Sequence, residues 1–282
     1  MASTQELTRR IKSIKSTRKI TRAMQMISAA KMRKSQQSAL ASRTYADLAW
    51  DLIRTLGGMS DFDSALLKTF PKAKKLGIVL ITTNKGLVGS FNTNILNKLR
   101  ELESGEPELI TEIISIGRKG RDNAIRSNKT LIAEFPKHDS TEHIKEIYPI
   151  ARLIVEKYAT GQYQKVLVVY NHFISTLVQT TTVKEILPFQ EIAAENNTDV
   201  IFEPTKHTVL TELLPRIIES QIYQAILEND ASEHSARMLM MKNATEAAGD
   251  LIDDLTLTFN QLRQGKITTE LSEITLLLTV TV

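Results

Sequence analysis

RRIKSIKSTRKITRAMQMISAAKMRKS, residues 9–35, is the most strongly patterned stretch of this 282-residue chain. Lysine or arginine stands at 9, 10, 12, 15, 18, 19, 22, 31, 33, 34 and 43, and Glu6 is the single acid before Asp47. No glycine precedes Gly57 and no proline precedes Pro71. Apolar residues return at helical spacing, at Leu7, Ile11 and Ile14 and again at Ile20, Met24 and Ile27. The pattern predicts one basic amphipathic helix over residues 1–57, opened near Thr4 and stopped by Gly57-Gly58. At 1.5 Å per residue, about 50 residues reach roughly 75 Å, far beyond the usual globular helix. No ordinary domain buries an apolar stripe of that length, so the chain has to supply a partner helix of similar reach.

The partner is found at the other end. From about Thr208 the helical period returns through Leu210, Leu213, Leu214, Ile217, Ile218, Ile222 and Ile226. Leu251, Leu255, Phe259 and Leu262, then Ile267, Leu271, Ile274 and Leu278, continue it at steps of three and four. Pro215 fits a first helical turn or a kink, and Gly249 and Gly265 weaken the helix without forbidding it. Residues 240–282 carry three basic side chains against six acidic ones, the opposite bias to residues 1–57. A chain that leaves one long helix, forms a globular domain and returns as another makes an antiparallel coiled coil, 1–57 against 208–282. Individual surface ion pairs would add only about 0–1 kcal/mol each, so their value lies in orientation and register.

Between the helices the period changes. LGIVLIT (76–82), EIISIG (112–117), KVLVVYN (165–171) and LVQTTTVKEIL (177–187) read as strands. Helical patterns fall at Asn92 to about Glu103 and at 141–161, the latter with Pro149 as a local defect. GRKGR (117–121) reads as the turn ending the second strand. Alternating strands and helices predict a small Rossmann-like α/β domain over 75–205, its end being polar loop from 190.

Composition narrows the chemistry. The hydrophobic content of 42% supports a real core, and the net charge of +4 is concentrated in the first helix. With no cysteine there is no disulfide frame, no thiolate nucleophile and no Cys-based zinc site, which fits a reducing compartment. No signal peptide and no run of 18 apolar residues is visible, so neither export nor membrane insertion is expected. No GxxxxGK(S/T) occurs. GLVGS (86–90) after the first strand could cradle a phosphate, but it lacks the GxGxxG fingerprint and reads better as a tight turn. GRKGR could bind an anion or be a solvated loop. His138, His143, His172, His207 and His234 show no metal-binding spacing, and no catalytic site or cofactor is expected. The basic helix suits an acidic partner. Nucleic acid is the alternative, although no aromatic residue that could stack on bases appears before Tyr45.

Three stretches then carry a resemblance. RRIKSIKSTRKITRAMQMISAAKMRKSQ (9–36) resembles the N-terminal signature of the gamma subunits of F-type ATP synthases. ITTNKGLVGSFN (81–92) is similar to that family's ITSDRGLCGGLN. YQAILENDASEHSARMLMMKNATEAAGDLIDDL (223–255) and FNQLRQGKITTELSEI (259–274) resemble its C-terminal signature.

The resemblance implies a long antiparallel coiled coil plus an α/β domain. It implies a central-stalk rotor turning inside three alpha and three beta subunits, and joined to the epsilon subunit and the membrane proton-carrying ring. No bond would be made or broken on this chain, and it would hold no cofactor. Met24, Arg237, Arg263, Gln264 and Thr268 match coupling positions, the Arg263-Gln264 pair being one that touches a catalytic subunit's catch loop. Lys19, Arg22, Lys31, Arg33 and Lys34 resemble a basic track facing acidic loops of the hexamer. Phe202 and Glu203, followed by Pro204, resemble the segment that touches the ring.

The chain also departs from the pattern. Val88-Gly89-Ser90 replaces Cys-Gly-Gly, Gly265 replaces the alanine after Arg263-Gln264, and the tail is unusually apolar and β-branched. The two-cysteine insertion of chloroplast forms is absent. The implied location is peripheral, on the cytoplasmic face of a bacterial inner membrane, with no nucleic-acid partner.

Overall fold

A computed structural model describes residues 4–57, 64–137, 144–189 and 205–280. The elements in order are α1 (Thr4–Gly57), β1 (Lys75–Ile81), α2 (Phe91–Gly105), β2 (Ile110–Ile116), α3 (Arg118–Arg126) and β3 (Thr130–Phe135). After a 3-10 turn (Ile144–Ile147) come α4 (Tyr148–Ala159), β4 (Lys165–Phe173), β5 (Gln179–Leu187) and α5 (Lys206–Val280). They form two units, Met1–Ser28 with Met238–Val282, and Ala29–Arg237.

The larger unit is built on a five-stranded sheet of order β3-β2-β1-β4-β5. β1, β2, β3 and β4 run parallel, and β5 returns antiparallel to β4. Alternation along the strands sends successive side chains to opposite faces. Leu76, Ile78, Leu80, Ile113 and Val169 pack with Ile95 and Leu99 of α2 and Ala124 of α3. Val79, Ile81, Ile114, Ile116 and Val168 pack with Ile150 and Ile154 of α4 and with Ile217, Ile218, Ile222 and Ile226 of α5. A strand buried on both faces reads as a continuous apolar run, which is why LGIVLI is so plain in the sequence. Gly77 is needed for space, because a Cβ there would lie 3.1 Å from the Tyr163 ring.

Within this unit α1 and α5 run antiparallel. Gln224 Nε2 donates to the Ala39 carbonyl at 3.2 Å and Gln221 Nε2 to the Ala46 carbonyl at 2.8 Å. The smaller unit also pairs the two helices antiparallel. Thr245 Oγ1 donates to Thr21 Oγ1 at 2.8 Å, and Gly249 leaves room for the Arg18 guanidinium, 3.4 Å from where a Cβ would sit.

Several sequence expectations are corrected. The seam of α1 does not run through Ile20 and Ile27, which are 58% and 57% exposed. It follows the heptad positions Leu7, Ile14, Thr21, Ser28, Ser35, Ser42 and Ala49, all buried or half-buried. Beside it, the small buried residues Ala39 and Ala46 let the Gln224 and Gln221 amides reach the α1 backbone. On α5, Leu251 is 52% exposed while its neighbour Ile252 is buried. The seam there is Met241, Thr245, Ala248, Ile252, Leu255, Phe259 and Leu262, at alternating steps of four and three. Ile267 and Leu271 are exposed, and the side chains of Ile274 and Leu278 lie outside the described residues.

GRKGR is not a loop. Gly117 caps α3 with φ at 99°, and Arg118 to Arg121 form its first turn. β3, TLIAEF, was not foreseen. It is a half-buried edge strand whose burial has no clean alternation to betray it. Pro149 is no defect, since it sits at the start of α4 where no N–H is needed. Pro215 lies inside α5, which begins at Lys206, so the first-turn reading is set aside.

Candidate functional site

Among the described residues, the positions implied by the resemblance lie on α1 and α5. In the smaller unit Lys19 and Arg22 are exposed and Met24 is half-buried. Arg263, Gln264 and Thr268 are exposed, and Thr268 Oγ1 donates to the Gln264 carbonyl at 3.0 Å. The register Thr21 to Thr245 puts Met24 roughly level with residue 242. Arg263 therefore lies about 30 Å further along α5 at 1.5 Å per residue. In the larger unit Arg33 and Lys34 are exposed, Lys31 is half-buried, and Arg237 Nη2 lies 2.7 Å from Glu233 Oε1. Phe202 and Glu203 lie outside the described residues.

GLVGS takes the tight-turn form that its sequence favours. In doubly wound sheets a ligand binds beyond the carboxyl ends of the strands, where the strand order reverses, here between β1 and β4. At the β1 exit Asn92 accepts from the Thr83 amide at 3.2 Å and donates to Thr83 Oγ1 at 2.8 Å. Thr83 Oγ1 in turn donates to the Lys85 carbonyl at 2.7 Å. The amides opening α3 are equally committed. Arg118 N donates to Asn84 Oδ1 at 3.3 Å, Lys119 N to the Thr83 carbonyl at 3.0 Å, and Gly120 N to Thr82 Oγ1 at 2.8 Å. The Thr83 amide and the three amides that open α3 are thus spent inside the chain. GLVGS is a tight turn, with Leu87 at φ 63° and Gly89 at φ 60°.

At the exits of β3 and β4 the place of a ligand is taken by α5 itself. Asn229 Oδ1 accepts from the Asn171 amide at 3.1 Å, while Asn171 Nδ2 donates to the Phe91 carbonyl at 3.2 Å. Ser235 Oγ donates to the Thr176 carbonyl at 2.6 Å. Lys137, two residues past β3, places its ammonium 2.8 Å from Asp230 Oδ1 and 2.5 Å from Glu233 Oε2. Burial alone would lower the Lys137 pKa, but the two carboxylates outweigh it and hold it above its ordinary value. Burial pushes the Glu233 carboxyl up, and Lys137 and Arg237 more than reverse that, so its pKa is lowered.

A second hub lies one turn earlier. Glu228 Oε1 is 3.1 Å from Arg43 Nη2 of α1, and its Oε2 is 2.5 Å from His172 Nδ1 of β4. Here too burial raises the carboxyl and hydrogen bonds from Gln224, His172 and Arg43 bring it below its usual range.

None of Lys137, Glu228, Asn229, Asp230 or Glu233 was singled out from the sequence. The signal was present in ENDASEHS (228–235), where acids and amides interrupt an apolar helical period that resumes afterwards. Polar residues on every side of a helix turn, in a chain that otherwise alternates, point to a turn buried among polar partners.

The family model described as "ATP synthase" matches residues 3–276. The "ATP synthase gamma chain" of Roseiflexus castenholzii is 42% identical over 280 residues, covering 97% of each chain. That of Pelotomaculum thermopropionicum is 40% identical over 277 residues, again with 97% of each chain covered. Among solved structures, a chain in the Euglena gracilis mitochondrial ATP synthase, "OSCP/F1/c-ring, rotational state 3", superposes with a TM-score of 0.72 at 20% identity. That alignment spans 99% of this chain and 94% of the other. A chain from the rotor of the same enzyme gives a TM-score of 0.68 at 18% identity, over 94% and 98%. At such identity these two speak for the fold.

Proposed function

The chain belongs to the family of ATP synthase gamma chains, and we propose that within its own enzyme it works as a rotor that carries out no bond chemistry. It is a central-stalk subunit of ATP synthase, and its task is to couple rotation to the conformational cycle of the catalytic subunits. The observation that carries this is the family match over nearly the whole chain, with paired long helices in both units. The non-catalytic reading is supported by the match to stalk subunits and by α5 itself, whose Asn229 takes up the Asn171 amide at the sheet's carboxyl edge. Among the described residues no helix is long and apolar enough to cross a membrane. The scaffold or nucleic-acid alternative finds no support in the family relationship.

In physical terms a rotor drives its neighbours by binding their alternative conformers unequally. Moving a two-state site from 1:99 to 99:1 takes a differential of about 5.5 kcal/mol, delivered to each catalytic site in turn as the asymmetric surface sweeps past. The proposed partners are the alpha and beta subunits, the epsilon subunit and the membrane ring, with the complex on the cytoplasmic face of the membrane. Lys19, Arg22, Lys31, Arg33 and Lys34 would face acidic loops of the hexamer. Met24, Arg237, Arg263, Gln264 and Thr268 would couple to the catalytic subunits, and Phe202 and Glu203 to the ring. Co-expression of the tagged chain with its own alpha and beta subunits should yield a stable complex with ATPase activity. Recovery of the chain alone would sink the reading.

A further inference from the structure

We propose that Lys137, held between Asp230 and Glu233, is a pin that fixes the rotational phase of α5 against the sheet, so that torque passes between them without slip. The inference rests on the rotor role above and adds the point at which the load crosses.

α5 meets the sheet in two chemically different ways. The ridge of Ile217, Ile218, Ile222 and Ile226 is buried in the core, but apolar contact is non-directional and resists separation better than rotation. The following turns are polar and buried. Successive helix residues are rotated by about 100°, so Glu228, Asn229 and Asp230 fan through about 200° around the axis. Each direction is met by a different element. Glu228 is met by Arg43 of α1 and His172 of β4, Asn229 by the Asn171 backbone, and Asp230 and Glu233 by Lys137 beyond β3. Turning α5 by a single residue would break all of these bonds together. Buried ion pairs add little net stability over apolar packing, and their best-attested use is to specify register. The Lys137 side chain is 3% exposed, as is that of Asp230, so solvent offers neither a replacement partner.

The test uses the complete enzyme in membrane vesicles, measuring ATP hydrolysis and ATP-driven proton uptake side by side. Lys137→Met should assemble and hydrolyse ATP, yet lower the ratio of proton uptake to hydrolysis by about threefold or more, the scale on which coupling residues act. Asp230→Asn, isosteric and leaving Glu233 on the lysine, should lower the ratio by less. A purely structural role would reduce both activities together at constant ratio. That outcome, or an unchanged ratio, overturns the pin. Should Lys137→Met fail to assemble, Asp230→Asn decides by the same criterion. If the wild-type enzyme itself hydrolyses ATP without proton uptake, the rotor reading fails rather than the pin.

Discussion

His234 shows how far a single buried position can be pushed. The residue is 5% exposed, and burial lowers its pKa from 6.5 to about 4, helped by Lys137, Arg237 and Lys31 and opposed by Glu233. Above about pH 6.5 the imidazole is neutral in both folded and unfolded chains, and it costs nothing. As pH falls from 6.5 toward 4 the unfolded chain takes up a proton that the folded one refuses. Stability therefore drops across that window, by about 3 kcal/mol at most, and the loss levels off below it. Thermal unfolding of the wild-type chain and of His234→Gln, followed from pH 7 to pH 4, should show the variant flatter by that amount. Parallel profiles would contradict the assignment. Glu228 and Glu233 act lower on the scale. Their pKa values are depressed, so the stability they confer is present above the ordinary carboxyl range and is lost as pH falls through their folded values. At this scale the sequence was least informative. The run ENDASEHS carries no spacing motif, and its partners Lys137, Asn171 and His172 arrive from strand ends 56 to 96 residues away (His172 to Glu228 and Lys137 to Glu233).

Among the elements, the long helices and four of the five strands were legible because each is a long or strongly apolar pattern. α3 and β3 were not. One is nine residues opening on RKGR, and the other is a half-buried edge. The presence of the coiled-coil seam was readable, but its phase was not. Large aliphatics on the wrong side, Ile20, Ile27 and Leu251, outweighed serines and alanines on the right one. The corrected phase makes a sharp contrast. Ile252→Ala should destabilise the chain by about 2–5 kcal/mol, as buried truncations do. Leu251→Ala, next to it and 52% exposed, should stay within about 0.5 kcal/mol. Equal effects in denaturant titrations would refute the seam. Gly265, with open space where a Cβ would stand, gives a second check. Gly265→Ala should raise stability by up to about 1 kcal/mol through helix propensity alone, and a loss would show that the helix needs its softness there.

Across the whole molecule, the proposed division of labour is between exposed side chains that would meet other subunits and a buried polar turn that holds α5 to the sheet. Arg263 and Gln264 are proposed for the first group. Arg263→Ala combined with Gln264→Ala should lower ATP synthesis and torque while leaving the chemistry of ATP hydrolysis intact, and unchanged synthesis would remove them from the coupling surface. Rotation itself is not written in periodicity or charge; it enters through family membership, and it can be watched directly. The chain contains no cysteine, so Leu177→Cys, at a position 72% exposed, would take a single probe. With the alpha and beta subunits anchored to a surface and ATP supplied, the probe should turn steadily in one direction, pausing at three equivalent angles per revolution. Continued ATP hydrolysis beside a stationary probe would contradict the account at its centre.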